Sequence, residues 1–462
     1  MISNQNVLFL VPHPDDEINI GAGLIDLFKQ RGMIVSVAFI TYGDYKKEEA
    51  KVRVEEALKA KNILGYDNIF WGGYGDDYRG RHLYECNGSE KIKSIAGYDK
   101  TYNVGTIYSY YFSKYGKQHD YTRDNYKSDL KELILDLCPE YIVCVDSDKH
   151  VEHKALSLLF DEVMGELLKE TEYRPYVYKK FAYIGVYDSV RDYFCRPMIE
   201  TLPSVKGIVQ TKDIVYPHLW EERIRIQNNP CNYPLKFWLS PIFKALLAHH
   251  SQRAAIRFVQ ICNSDIILWN RRTDSLSYNA EFHASSGDVQ YLNDFKIADF
   301  DTIRTATWDI KNTKKKLWIS SAEDLIPQIT IELGKKSNIS EIVLYQPYKS
   351  RICKIDVYLD GLINITHQCE DSYKIIIPIK NNKQATKKIL LKIYPQQKSC
   401  ASLNEIEIYE KNNVENGLPF NEMSKTSFGR YQYSWFYSVL FNVFSILYMD
   451  KYKTFKKLLK KI

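Results

Sequence analysis

From residue 7 onward, short apolar, β-branched runs alternate with stretches of helical period. VLFLV leads into GAGLIDLFKQRG, IVSVAFIT into the charged stretch KKEEAKVRVEEALKAKNILG, and that into NIFW. A run YIVCVD at 141 to 146, a helical pattern from about Ala155 to Lys169 and a run FAYIGVY at 181 to 187 extend the series. Alternation of this kind predicts parallel βαβ units, with helices on both faces of a mostly parallel sheet. Residues 1–275 are read as one α/β domain on that basis.

After Ser277 the pattern changes. QITIELG, ISEIVLYQ, KIDVYLDG, YKIIIPI, KKILLKIYP and NEIEIYE are short, rich in Ile, Val and Tyr, and spaced by turn residues. They predict an antiparallel β-sandwich over 277–410. Residues 411–462 read as a linker and a tail. A polar stretch precedes the apolar run Trp435 to Met449, which falls short of the roughly 20 apolar residues a membrane span needs. In the Lys-rich end, Tyr452, Phe455, Leu459 and Ile462 recur at three- and four-residue intervals among six lysines. That spacing predicts a basic amphipathic helix, and peripheral contact with an anionic membrane through residues 430–462. Packing of the tail on its own protein is the alternative.

At 462 residues the chain exceeds what one core usually organises, which agrees with two domains. The formal charge of +6 resides in the last twelve residues, so the body is balanced and a nucleic-acid-binding body is not indicated. Nine scattered Cys without a CxxC pair suggest neither a disulfide framework nor a structural zinc knuckle. No secretory leader precedes the strand at Val7, so a cytoplasmic location is expected, at the inner face of the membrane if the tail binds there.

The chemistry begins with PHPDDE, Pro12 to Glu17, directly after the first strand. Side chains there project from the carboxyl end of the sheet, where open α/β folds place ligands. His13 and Asp16 converge if a helical turn begins here, while Asp15 faces another direction. A catalytic zinc wants three protein ligands and one open position. YIVCVD runs into SDKHVEHKA, and either His150 or His153 can complete a two-His, one-carboxylate site, the other lying beside the substrate. The same set suits iron(II). Helix capping explains one such acidic turn, but not two strand-end clusters together. His249 and His250 lie in a helical pattern and are assigned core or surface roles, and His82, His119, His218, His283 and His367 have no comparable context.

These residues resemble the LmbE-like or PIG-L-like deacetylases, zinc enzymes of a Rossmann-like fold that act on N-acetylglucosamine units. The resemblance covers about 1–275 and rests on PHPDDE, on TYGD at 41 to 44, on the spacing from Arg53 through Glu56 to Leu64 and Gly65, and on His150 and His153. It implies that His13, Asp16 and His153 bind the metal, that Asp15 is the general base, and that His150, if protonated, stabilises the oxyanion. It also implies substrate contacts from Arg53, for which a solvated helix face is the competing reading, and from Asp76 or Asp77. One departure is Glu152, where the family's second motif has Asp before its last His.

Residues 277–410 resemble a discoidin-like, F5/8 type C module of the galactose-binding jelly-roll class, through TATWD at 305 to 309 and the strands quoted above. The expected activity is removal of an N-acetyl group from an amino sugar, possible partners being lipid-linked sugars, in glycan or glycolipid assembly. The rivals are an amidase acting on a sugar-linked thiol conjugate and an inactive glycan-binding protein.

Overall fold

The computed structural model describes residues 5–45, 49–77, 80–183, 208–210, 215–233, 237–261, 264–300, 316–347, 352–370, 372–379, 385–396, 399–410 and 417–423. The TATWD segment and the tail from residue 424 lie outside them.

The first half is an α/β sheet. Strand β1 (Asn6–Val11) leads to helix α1 (Asp16–Gln30), β2 (Ile34–Thr41) to α2 (Glu49–Leu64), and β3 (Asn68–Tyr74) follows. Short helices α3 (Gly80–Glu85) and α4 (Tyr110–Tyr115) precede α5 (Arg123–Leu137), β4 (Tyr141–Val145), α6 (Val151–Glu170) and β5 (Tyr176–Lys180). A hairpin of β6 (Ile208–Gln210) and β7 (Val215–Leu219), then β8 (Ile224–Gln227), α7 (Pro241–Ala248), α8 (Phe258–Ile261) and β9 (Asp265–Arg271) complete this half. The sheet order is β3-β2-β1-β4-β5-β9-β8. The first five strands are parallel, and β9 and β8 are antiparallel additions at one edge. Central strands covered on both faces need apolar side chains at successive positions, and Val7 to Val11 are all buried.

The order reverses between β1 and β4, which pair in parallel from Val7↔Tyr141 to Leu10↔Cys144. Their carboxyl ends therefore open side by side at the switch point of the sheet, where such folds place ligands. Two sequence expectations shift here. The strand expected at 181 to 187 is instead β5, ending at Lys180, with residues 184–187 outside the described ones. Lysines hide it in the sequence, yet Lys179 is buried with its Nζ 2.7 Å from Asp161 Oδ1. Helix α6 starts at Val151 rather than Ala155, which puts His153 in its first turn.

The second half is antiparallel. Strands β10 (Glu281–Ala284), β12 (Gln328–Ser337), β17 (Thr386–Pro395), β14 (Ile352–Leu359) and β15 (Leu362–Gln368) form one sheet in that order. Strands β16 (Lys374–Pro378), β13 (Glu341–Tyr345) and β19 (Glu405–Tyr409) form a second, and β11 (Trp318–Ile319) pairs with β18 (Ser402–Leu403). Alternate residues such as Ile329, Ile331, Ile389 and Leu391 meet Ile342, Leu344, Ile406 and Ile408 in one core, as period-two patterning requires.

The two halves are joined by buried polar contacts. Arg271, at the end of β9, lies 3.2 Å from Glu407 of β19 and donates to the Phe295 carbonyl at 2.6 Å. Tyr84 donates to Asp299, and Lys296 lies 3.4 Å from Glu162 of α6. Gly165 of α6 sits against the backbone at Asp294, whose carbonyl oxygen would lie 2.4 Å from a Cβ placed there. Alanine ordinarily stabilises a helix interior by about 1 kcal/mol over glycine. Gly165→Ala is expected to do the opposite and lower the melting temperature by several degrees, measured by calorimetry; a rise would mean that this close approach does not constrain the two halves.

Candidate metal centre

The residues after β1 and β4 meet as the parallel register requires. Asp16 Oδ2 lies 3.1 Å from His13 Nδ1 and 3.1 Å from His153 Nε2. Its other oxygen accepts from Asn19 Nδ2 at 3.0 Å. His153 is fully buried, and its Nδ1 is held by Asp148 Oδ2 at 2.7 Å. The same Asp148 accepts the backbone N–H groups of His150 and Tyr183. His13, His150 and His153 also bring ligand atoms within 4.8 Å of one another. Of the sequence candidates, His13, Asp16, His150 and His153 are thus gathered at one point.

The carboxylates of the cluster favour positive charge on two of its imidazoles. Against the cost of burial, Asp76 and Asp16 hold the His13 pKa above its ordinary value. Burial also opposes the rise of His153, which Asp148 and Asp16 nonetheless push up to about 10. Asp16 is held well below the usual carboxylate range despite desolvation, by His153 and His13. The buried His153 Nε2 faces Asp16 Oδ2 at 3.1 Å without a well-aligned hydrogen bond. Two imidazoles and a carboxylate with one orphaned ring nitrogen fit a zinc or iron(II) ion.

His150 caps α6 and is partly exposed. Burial, with His153 and His13 nearby, pushes its pKa down to about 2, which favours the neutral imidazole.

Asp15 is 4% exposed and faces two arginines. Arg257 Nη1 donates to its Oδ2 at 3.0 Å, and Arg53 Nη2 lies 3.7 Å from its Oδ1. Arg53 does not lie on a solvated helix face: it is buried and donates to the carbonyls of Gly43 and Pro14. Those bonds brace the PHPDDE turn. Asp76 accepts from Thr41 Oγ1 at 2.5 Å and lies 3.6 Å from His13 Nε2, and its amide donates to Asp44 Oδ1. TYGD therefore organises the loop that carries Asp76 and Asp77. Glu152, the departure from the family motif, reaches away from His153 to accept the Asp77 amide at 2.9 Å. Asp148 orients the histidine instead.

Sequence reading missed Asp148, Arg257 and the Glu17–His249 pair. Asp148 carries a signal, an acid two residues before His150 at a strand end; Arg257 and His249 stand 242 and 232 positions from the groups they touch, and no spacing announces them.

An α/β sheet with imidazoles and a carboxylate converging at its switch point defines the class: an α/β domain whose residues could hold a metal ion there. The model of the PIG-L family, described as GlcNAc-PI de-N-acetylase, matches residues 8–164, and those residues form a PIG-L, or LmbE-like, deacetylase domain. Among solved structures, an N,N'-diacetylchitobiose deacetylase from Pyrococcus horikoshii, complexed with its inhibitor MPG, is similar at 16% identity and a TM-score of 0.26, over 38% of this chain and 60% of that one. This chain thus spans less than two thirds of that enzyme's length. A family 32 CBM from C. perfringens NanJ, in complex with galactose, is similar at 16% identity and a TM-score of 0.23, over 29% of this chain and 96% of that one. No curated protein matches the chain.

If Asp148 fixes the tautomer and aim of His153, Asp148→Asn should weaken zinc binding about 10- to 100-fold while leaving the fold intact, as loss of such partners usually does. Competition with a chromophoric chelator checks this; unchanged affinity would remove Asp148 from the centre.

Proposed function

We propose that this protein removes the N-acetyl group from an N-acetylglucosamine-type amino sugar, using a divalent ion, zinc or alternatively iron(II), held by His13, Asp16 and His153. The observation that carries the reading is Asp16 Oδ2 at 3.1 Å from both imidazoles inside a PIG-L-type domain. When bound, such an ion supplies a Lewis acid for the amide carbonyl and lowers the pKa of water toward neutrality.

The chain's own residues do the rest. Asp15 accepts a proton from the attacking water as the C–O bond forms, then delivers it to the nitrogen as the C–N bond breaks, giving acetate and the free amine. Its carboxylate is held by Arg257 and the nearby Arg53, so little reorganisation is needed at that step. His150, neutral, donates its ring N–H to the developing oxyanion, where one such donor is worth roughly 3 kcal/mol. Asp76 is engaged by Thr41 and His13, and Asp77 is the proposed contact to a sugar hydroxyl. The sandwich is proposed to pack against the catalytic half, a role its buried ion pairs support, with glycan binding as an added function. An amidase acting on a sugar-linked thiol conjugate would use the same residues, and substrate trials separate the two.

Asp15→Asn should keep metal and fold while turnover falls about 100- to 10,000-fold, the usual range for loss of a general base. Acetate release from a panel of N-acetylglucosaminides, nucleotide sugars and lipid-linked sugars checks this, and near-normal turnover would displace Asp15 from the role. No release from any member of the panel by wild type would favour the inactive, glycan-binding reading.

The tail supports a lipid-linked substrate and a place at the inner membrane surface. Among the described residues no helix is long and apolar enough to cross a membrane. Contact would come from the six lysines and the apolar stretch of residues 430–462, each lysine near an anionic leaflet contributing about 1 kcal/mol. Sedimentation with phosphatidylserine vesicles at low salt should depend on residues 430–462; intact protein left in the supernatant would exclude that contact.

A further inference from the structure

Asp15 has an unusual backbone. It is the N-cap of α1, with φ 109° and ψ −22°, a left-handed conformation that residues bearing a Cβ rarely adopt. An N-cap aspartate usually turns its carboxylate back onto the helix amides. Here the side chain makes no such bond. It turns toward Arg257 instead, and another residue holds the backbone in place.

That residue is Glu17, whose Oε2 accepts the Asp15 N–H at 2.8 Å. Its Oε1 is held by His249 Nε2 at 2.8 Å, and neither side chain is exposed. His249 directly follows α7, whose Ile242, Ala245 and Leu246 pack with Ile18 and Ala22 of α1 and Ala60 of α2. The next residues continue the grip: Ser251 donates to both oxygens of Glu56 through its amide and hydroxyl, and Arg257 donates to Asp15 itself. The whole stretch 249–257 lies beyond the residues that the family model matches.

We infer that His249, acting through Glu17, is a positioning residue that keeps Asp15 in its left-handed backbone, and that segment 249–257 completes the catalytic turn by also fixing the Asp15 carboxylate through Arg257. The inference rests on Asp15 as the base of the proposed reaction. A buried carboxylate that accepts a backbone amide keeps its geometry only while its second oxygen has a partner. Removing that partner lets Glu17 turn and Asp15 relax to an ordinary N-cap.

The test compares wild type, His249→Ala and His249→Gln by crystal structure, zinc content and acetate release from whichever N-acetylglucosaminide wild type turns over. In His249→Ala, Asp15 should leave the positive-φ region and kcat should fall about 10- to 100-fold, the scale of a misplacement near 1 Å. KM and zinc content should stay as in wild type. His249→Gln keeps a donor for Glu17 and should restore both the Asp15 geometry and most of the turnover, which a purely structural histidine would not require. If His249→Ala fails to fold, Arg257→Gln, at a partly exposed position, should shift the Asp15 carboxylate and lower kcat without changing zinc content. An Asp15 unmoved in the folded variants overturns the inference. If wild type releases no acetate, the proposed reaction fails instead, and the crystal comparison still decides the positioning claim.

Discussion

One carboxylate oxygen, Asp16 Oδ2, lies 3.1 Å from a nitrogen of each of two imidazoles that stand 140 residues apart in the chain. That meeting depends on β1 and β4 being neighbours, with their carboxyl ends level. Parallel strands place the residues that follow them on the same edge of the sheet, and the reversal of strand order there leaves no crossover helix above them. Most other features of the centre support that point: Asn19 on the second oxygen of Asp16, Asp148 behind His153, and Thr41 with Asp76 behind His13. Buried carboxylates facing imidazoles are costly unless compensated, and a cation held among them would supply that compensation.

Helix α6 links this point to the rest of the molecule. Its first turn carries His153, and its later turns carry Glu162 and Gly165, which meet Lys296 and the backbone at Asp294. The helix that carries His153 is therefore also the one on which the antiparallel half is seated. Arg271 and Glu407 repeat the theme from β9 to β19, a charge pair out of water at the same junction. Removing one partner of such a pair typically costs about 3–5 kcal/mol, and Tyr278, Phe295 and Phe300 of the second half also pack into the core of the first, so the two halves hold each other in register.

Much of this was legible in the sequence, for definite reasons. The central strands are continuous apolar runs and the sandwich strands alternate, so element type followed from period alone. PHPDDE and the His150–His153 pair stand at strand ends, where local spacing already implies convergence. What escaped notice depends on tertiary structure. Strand β5 carries Lys179, which looks like a surface residue until Asp161 is seen beside it. Arg53 belongs to a charged helix whose exposed and buried cations cannot be told apart by sequence, and it turns inward to two carbonyls. Glu152 keeps the charge of the motif's aspartate yet serves a different group, while Asp148 takes the histidine.

The proposed reaction requires the cluster of His13, Asp16 and His153 to be a working metal centre. Its most direct measurement is acetate release by protein stripped with a chelator and then titrated with zinc. Turnover should be absent in the stripped protein and reach its plateau at one equivalent of zinc per chain, with iron(II) able to substitute. Equal turnover before and after stripping, with no metal remaining by elemental analysis, would contradict it.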